Sequence, residues 1–503
     1  MNIDLMIQHV AKENPSRLAV GWETGAYTYK EFNYLIEKLS NAFLSAGIKP
    51  GDRVGIILFN CPEFLLAYYA CMRMGAISVP INPVLTGREL GVILNDCTPV
   101  MIITNESVNK KIETIQLSVE PIMLNTNRPD SFRYFLNSGD DKPIMIKRVT
   151  DDSTIIYTSG TTGIPKGAVL TYRNLYSNAK EFAEGMGMTG QEKTLIVAPV
   201  FHSAALTCCL NATFYSGGYN YLLERWTSSS HTLLTMEKEE ISFFFGPPTM
   251  YTYILADPKL ENYRMKLRMA FTGAAALPEE IFNQWKDKFG MEIVEGYGLS
   301  ETSPVVTYNP PDGIKKPGSI GLPIKDVALK IIDDEGNDVQ VGQAGELCVK
   351  GPNVMRGYWN RPEENKRSFI DGWFRTGDIA KMDRDGYYYI VDRKKDMIIR
   401  SGFKIYPREI EEVLYQHPNV LEAAVIGTPD RERGEVVQAV LTIKDDQNKP
   451  AASELKDFCR KKLASYKVPS SFIIVDELPK TGSGKIVKTK LREQFSEQGE
   501  MKI

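Results

Sequence analysis

Residues 49–83 read as a strand, a mostly apolar helix and a second strand in succession. This order limits the architecture of the chain more than any other stretch of it. KPGDRVGIILF opens on a Pro-Gly turn and ends in the apolar run Val54 to Phe59. PEFLLAYYACMRMG then reads as a helix from Pro62 to Met74 that is apolar nearly all round, as a helix enclosed by other layers must be. AISVPINP supplies the second strand. Two strands joined through a helix lie parallel, and a parallel sheet is stable only when helices cover it, so the fold class is α/β. The alternation returns at LIVAPV (195–200), ISFFFG (241–246) and RMAFTG (268–273), the last followed by the helical PEEIFNQWKDKF. Before the first unit, Phe32, Leu35, Ile36, Leu39, Phe43 and Leu44 recur at helical spacing between Glu31 and Gly47, where the glycine suits a stop.

From about Gly318 to Val391 the elements become short and strand-like, with turn signals at DEGN (334–337) and DRDG (383–386). DRKKD then sets five charges in a row at 392–396, which suits either a solvated turn or a hinge. Beyond it come the helix PREIEEVLYQH, the strand LEAAVIG, a helix around Ser453–Leu463 and the strand SFIIV. The expected organisation is a large N-terminal domain of βα-layered sheets (1–391) with a smaller β-rich subdomain, a hinge (392–396) and a small mobile α+β C-terminal domain (397–503).

Bulk properties remove several classes of function. A net charge of −3 argues against a broad nucleic-acid-binding face. The seven cysteines are scattered without a CxxC pair, which argues against a disulfide framework or zinc site and for a reducing compartment. The first residues lack the apolar core of a signal peptide, and no run of about 18 apolar residues offers a spanning helix. A cytoplasmic protein is expected, with peripheral membrane contact left open.

YTSGTTGIPKG, from Tyr157 to Gly167, is the stretch richest in chemistry. Its glycines free successive backbone N–H groups to surround one anion. Thr158, Ser159, Thr161 and Thr162 add hydroxyl donors around Gly160 and Gly163, and Lys166 adds positive charge. It is not the nucleotide-binding GxxxxGK[ST] pattern, because Ile164-Pro165 stands before the lysine and Gly167 after it. A flexible surface turn is the alternative for any such loop taken alone.

The string does not stand alone. GAAALP (273–278), EGYGLSET (295–302), GELCVKGPNVMRGYW (345–359), GWFRTGD (372–378), VDRKKDMIIRSGFKIYPREIEEVL (391–414) and PKTGSGKI (479–486) follow in order. Together they closely resemble the adenylate-forming superfamily of acyl-CoA synthetases, adenylation domains and luciferases, and most of all bacterial fatty-acid–CoA ligases. The resemblance implies ATP, Mg²⁺ and CoA as cofactor and co-substrates, and a small-molecule carboxylic acid, expected to be a medium- or long-chain fatty acid, as the substrate. It implies triphosphate binding by residues 158–163 and Lys166, Mg²⁺ on Glu301, and an α-phosphate donor at Ser300, where many relatives carry Thr. Gly273, Ala274, Ala275, Glu295, Gly296 and Tyr297 would surround adenine, and Asp378 and Arg393 would hold the ribose. Lys485 would bridge the substrate carboxylate and the α-phosphate. Lys395 takes the hinge position, and Gly402 and Lys404 the path of pantetheine.

The resemblance implies a position beside the acyl carboxylate for His202 in PVFHSAAL, although a lone histidine near a strand end is commonly structural. Phe245, Gly246, Tyr251 and Ala276 are expected to frame an acyl pocket. Tyr251 falls where some long-chain ligases carry an aromatic gate, and a core tyrosine explains it equally. An enzyme loading a carrier protein, one using an aryl acid, or a non-catalytic nucleotide-binding protein are the competing functions. A homodimer is left open.

Overall fold

The computed structural model describes residues 2–126, 129–140, 151–158, 165–393, 396–430, 432–444, 448–481 and 485–496. Ser159, Gly160, Thr161, Thr162, Gly163 and Lys395 therefore lie outside the described residues.

The βαβ unit read from the sequence is present. Arg53–Ile57 pairs parallel with Ile77–Pro80 through the helix Pro62–Met74, which ends at Gly75 in the left-handed conformation. These strands belong to a seven-stranded sheet whose order is Gly357–Tyr358, Lys166–Thr171, Asp152–Thr158, Ile77–Pro80, Arg53–Ile57, Met101–Thr104, Ile122–Asn125. A nine-stranded sheet has a parallel centre formed by Val294–Gly298, Met269–Thr272, Phe243–Gly246, Lys193–Ile196, Tyr219–Leu222 and Leu18–Trp22. One hydrophobic core joins the two sheets, and Pro62–Met74 and Tyr172–Gly185 contribute to it. Pro62–Met74 has almost no polar face for this reason: Phe64 through Met72 and Met74 are all buried, and Arg73 pairs with the buried Asp4 at 2.6 Å. The amphipathic helix predicted from Glu31 runs Tyr29–Ser45, opened by a reciprocal cap between Thr28 and Glu31.

The β-rich stretch folds as an antiparallel sheet of Ala328–Ile332, Gly345–Lys350, Trp373–Met382 and Tyr388–Arg393, with Phe369–Ile370 at its edge. The fourth sheet lies wholly after residue 397. In it Val420–Asp430 and Gly434–Ile443 pair antiparallel, and Ser471–Ile474 adds a parallel strand. Pro407–Tyr415 and Ala452–Arg460 pack against this sheet in a hydrophobic cluster of their own. The α/β class with a β-rich portion and a C-terminal α+β portion is thus the observed architecture. No helix among the described residues is long and apolar enough to cross a membrane.

The strand predicted at 195–200 ends early, at Ile196. The chain turns there, and Ala198 and Pro199 become cavity wall instead of sheet. Then follows a π-helix, Ala205–Asn211, whose residues are all buried. Such wide turns concentrate at functional sites, and hydropathy alone does not distinguish them from α-helix.

Candidate active site

Parallel strands deliver their following loops to one edge of a sheet, and ligands collect there. In the nine-stranded sheet the chain beyond Ile196, Gly246, Thr272 and Gly298 supplies Ala198, His202 and Ser203, then Pro247, then Gly273 and Ala274, then Leu299 to Glu301. These residues wall a cavity of about 640 Å³, a size suited to a small-molecule site. The seven-stranded sheet adds Tyr157, Thr158 and Lys166, the antiparallel sheet Thr376 to Asp378 and Arg393, and the C-terminal portion Thr481 and Lys485.

Glu301 sits in a tight turn, Ser300–Thr302, and is buried. Its Oε1 accepts from the Tyr358 hydroxyl at 2.9 Å and the Thr158 hydroxyl at 3.4 Å. Burial, followed by the Glu301 charge, raises the Tyr358 hydroxyl pKa far above its ordinary value, so Tyr358 stays a donor. Ser300 Oγ lies 3.2 Å from Ser203 Oγ. Lys166 pairs with Glu364 at 2.9 Å and lies over the Tyr358 ring.

Asp378 and Arg393 face each other across the antiparallel ladder, and Arg393 Nε lies 3.4 Å from Asp378 Oδ1. Tyr297 donates its hydroxyl to the other oxygen, Oδ2, at 2.5 Å. The carboxylate is therefore fixed in orientation at the cavity edge. Gly273 leaves room that a side chain would take: an added Cβ would stand 3.0 Å from Gly296 O. Ala274 adopts φ 67, a left-handed conformation that costs a non-glycine residue roughly 1–2 kcal/mol, and it is exposed to the cavity.

His202 lines the cavity, and its Nε2 has no hydrogen-bond partner among the described residues. Burial, followed by the Lys485 charge, lowers its pKa from 6.5 to about 4, so the ring is neutral at physiological pH. Between these two values the unfolded chain protonates this histidine and the folded chain does not. Stability therefore falls as pH drops from about 6.5 through about 4. Glu295 acts in the opposite sense. Burial raises its carboxyl from 4.5 to about 7, against the smaller effect of Arg408, so stability from this group falls as pH rises through that window. The expected result is that His202→Gln loses less stability than the parent between pH 7 and pH 4.5 in urea titrations. Equal losses in the two proteins would contradict the assignment.

Several expected residues lie elsewhere. Glu295 does not line the cavity; its carboxylate accepts from Leu277 N at 3.1 Å and faces Arg408 at 4.0 Å. Ala275 and Ala276 are also absent from the lining, because the chain turns at Ala274 toward the buried Leu277. Gly246 points into the core, where an added Cβ would meet Met250 and Phe244, and only its neighbours Phe245 and Pro247 reach the cavity. Tyr251 is no gate. It is fully buried against Trp285, and its hydroxyl lies within bonding distance of the Phe271 and Phe244 carbonyls at 2.9 and 3.3 Å. Gly402 and Lys404 sit on an exposed hairpin away from the cavity. Ser401 and Gly402 have φ 50 and 84, so the turn itself calls for glycine there.

Ser203, Cys208, Tyr358, Thr376 and Thr481 also line the cavity and were not singled out from the sequence. Tyr358, Thr376 and Thr481 lay inside quoted motifs, and Ser203 stands next to His202. Cys208 is brought in by the π-helix and had no local signal.

A hard cation such as Mg²⁺ commonly takes one or two carboxylates and completes its shell with water and phosphate oxygens. Among the described residues no cluster of His, Cys, Asp and Glu would enclose a metal unaided. Glu301, a buried carboxylate at the cavity wall, fits a cation shared with a nucleotide.

The comparisons agree with this geometry. The family model for AMP-binding enzymes matches residues 7–359, and that for the AMP-binding enzyme C-terminal domain matches 409–485. The chain is 38% identical to a feruloyl-CoA synthase from Amycolatopsis sp. over 96% of its length and 97% of the relative's. It is 35% identical to a long-chain-fatty-acid–CoA ligase from Bacillus subtilis (strain 168), over 97% and 93%. It superposes on an anthranilate CoA ligase bound to anthranoyl-AMP with a TM-score of 0.94 at 28% identity, covering 100% of this chain and 98% of that one. With matches across both portions of its length, the chain belongs to the AMP-binding enzyme family and is an acid–CoA ligase that uses ATP, Mg²⁺ and CoA.

Proposed function

We propose that the chain joins an apolar carboxylic acid of compact size to AMP and then passes the acyl group to CoA. One observation carries this reading. A single cavity is lined both by Lys485, His202, Ser300 and Glu301 and by the apolar residues Ala204, Ala205, Cys208, Phe245 and Phe271. A free carboxylate resists attack by a thiol, because its charge repels the nucleophile and oxide leaves poorly. Making the adenylate requires two anions to meet, so the site must supply positive charge and oriented donors.

In this reading Lys485 stands between the substrate carboxylate and the α-phosphate, and Ser300 donates to that phosphate. Lys166, with residues 158–163, takes the outer phosphates. Glu301 would hold Mg²⁺, which would supply neutralising charge there. Asp378, held by Tyr297 and Arg393, accepts the ribose hydroxyls, and adenine lies between Tyr297 and the Gly273–Ala274 backbone. Neutral His202 borders the carboxylate as a donor without adding charge. The second step uses a rotation of residues 397–503 about 392–396, which withdraws Lys485 and brings the Gly402–Lys404 hairpin to the cavity as the path of pantetheine.

The fatty-acid reading leans on the Bacillus subtilis relative, and the aryl reading on the feruloyl-CoA synthase and the anthranilate ligase. Tyr251, pinned in the core, favours a medium-chain or aryl acid, because it offers no aromatic gate past Phe245. ATP–pyrophosphate exchange with ferulate, benzoate, octanoate and palmitate tests this, followed by CoA-dependent AMP release. Ferulate, benzoate or octanoate is expected to exceed palmitate in kcat/KM by about tenfold or more. Palmitate as the best substrate would overturn the size limit. No exchange with any of the acids would count against adenylation of this substrate class, and AMP release indifferent to CoA would favour a carrier-protein acceptor.

A further inference from the structure

Tyr253 lies on the helix Pro248–Leu255, away from the cavity lining, and is half-buried. Its hydroxyl accepts from Lys480 Nζ at 2.9 Å and lies 3.2 Å from Glu422 Oε2, to which it donates. Lys480 and Glu422 are themselves paired at 2.8 Å, and Lys480 Nζ stands over the Tyr253 ring at 4.9 Å. The Glu422 side chain is 1% exposed, so the pair is desolvated and its hydrogen bonds are charge-assisted. Lys480 and Glu422 belong to the C-terminal portion, whereas Tyr253 belongs to the portion that carries the nine-stranded sheet.

Lys480 is also the base of the segment that carries Lys485. It forms a backbone bridge with Ile486. One step inward, Thr481 N donates to Lys485 O at 2.7 Å and Lys485 N to the Thr481 hydroxyl at 3.1 Å. A displacement of Lys480 is therefore passed through the backbone to Lys485. Further polar contacts across the same boundary are made by a different helix, Pro407–Tyr415. There Glu279 N donates to Glu412 at 3.4 Å, and Arg408 donates to Gly318 O at 3.3 Å.

We propose that Tyr253 is a positioning residue for adenylation: its hydroxyl, seated on the Lys480–Glu422 pair, sets where Lys485 enters the cavity. This rests on the role given to Lys485 above. The pair lies within the C-terminal portion and persists when that portion turns away, whereas the bond to Tyr253 exists only in the docked arrangement. Removing the hydroxyl therefore weakens docking selectively. The two half-reactions respond differently, because adenylation needs Lys485 in the cavity and thioester formation needs it withdrawn.

Tyr253→Phe keeps the ring under Lys480 and removes only the oxygen. ATP–pyrophosphate exchange is expected to fall about tenfold in kcat, with little change in KM for ATP or acid. Thioester formation from supplied acyl-AMP and CoA is expected to hold or rise, and the thermal midpoint to stay close to that of the parent. Exchange at the parental rate would overturn the proposal. An equal fall in both half-reactions would also overturn it, since that is the mark of a purely structural residue. Lys485→Ala measured alongside separates the two levels of inference. If that variant loses exchange while Tyr253→Phe keeps it, only the positioning role fails. If it keeps exchange, the assignment of Lys485 fails and the positioning role with it.

Discussion

Lys485→Ala is expected to lower adenylation by at least about a hundredfold while leaving conversion of supplied acyl-AMP to the CoA thioester near the parental rate. In the docked arrangement Lys485 lines the cavity with Ser300, Glu301 and His202, and its charge is felt at His202. Its proposed partners, the carboxylate and the α-phosphate, carry like charge and meet only while a cation lies between them. Losing one preorganised contact of this kind costs roughly 3 kcal/mol, or about two decades in rate. Thioester formation begins from an adenylate whose charge problem is already solved, so the lysine has no comparable part in it. Radiolabelled pyrophosphate exchange measures the first step, and thioester formation from synthetic acyl-AMP measures the second. An exchange rate equal to that of the parent would remove Lys485 from the mechanism.

Glu301→Gln is the second large effect. The glutamine keeps the shape and can still accept from Tyr358 and Thr158, whose hydroxyls now meet Oε1 at 2.9 and 3.4 Å. It removes the negative charge that suits a hard cation. Exchange is expected to fall by roughly two orders of magnitude, with a rise in the Mg²⁺ concentration needed for half-maximal rate. The fold should be little affected, because both hydrogen bonds survive. A variant with the parental Mg²⁺ dependence would refute the assignment of Glu301 as the ligand.

Sequence reading reached different residues of the site to different degrees. Lys166, Tyr297, Ser300, Asp378 and Arg393 line one cavity, although they come from separate stretches of the chain. Their motifs were legible together, through their joint resemblance to the adenylate-forming superfamily, because each taken alone reads as a turn or cap. Glu295 stands one strand position from the cavity lining. Side chains alternate along a strand, so Gly296 borders the cavity while Glu295 turns to Leu277 and Arg408. For Tyr251 the sequence left gate and core tyrosine equally open, since only the fold brings the Phe271 carbonyl to its hydroxyl. Gly402 was read as space for a ligand, and its φ of 84 adds a reason internal to the turn.

The chain's own order of residues determined the layered α/β class, the run of Pro62–Met74 as a mostly apolar helix, and the chemistry available at each motif. These follow from local hydropathy period, turn residues and side-chain type, which are properties of neighbours along the chain. Tertiary structure alone decided that Ser203 meets Ser300 and that Cys208 joins the wall through a π-helix. It also decided that Tyr253 grips Lys480 across 227 residues of chain. Those contacts depend on how sheets and helices pack in three dimensions, and no period in the sequence encodes the distance between residues that packing brings together.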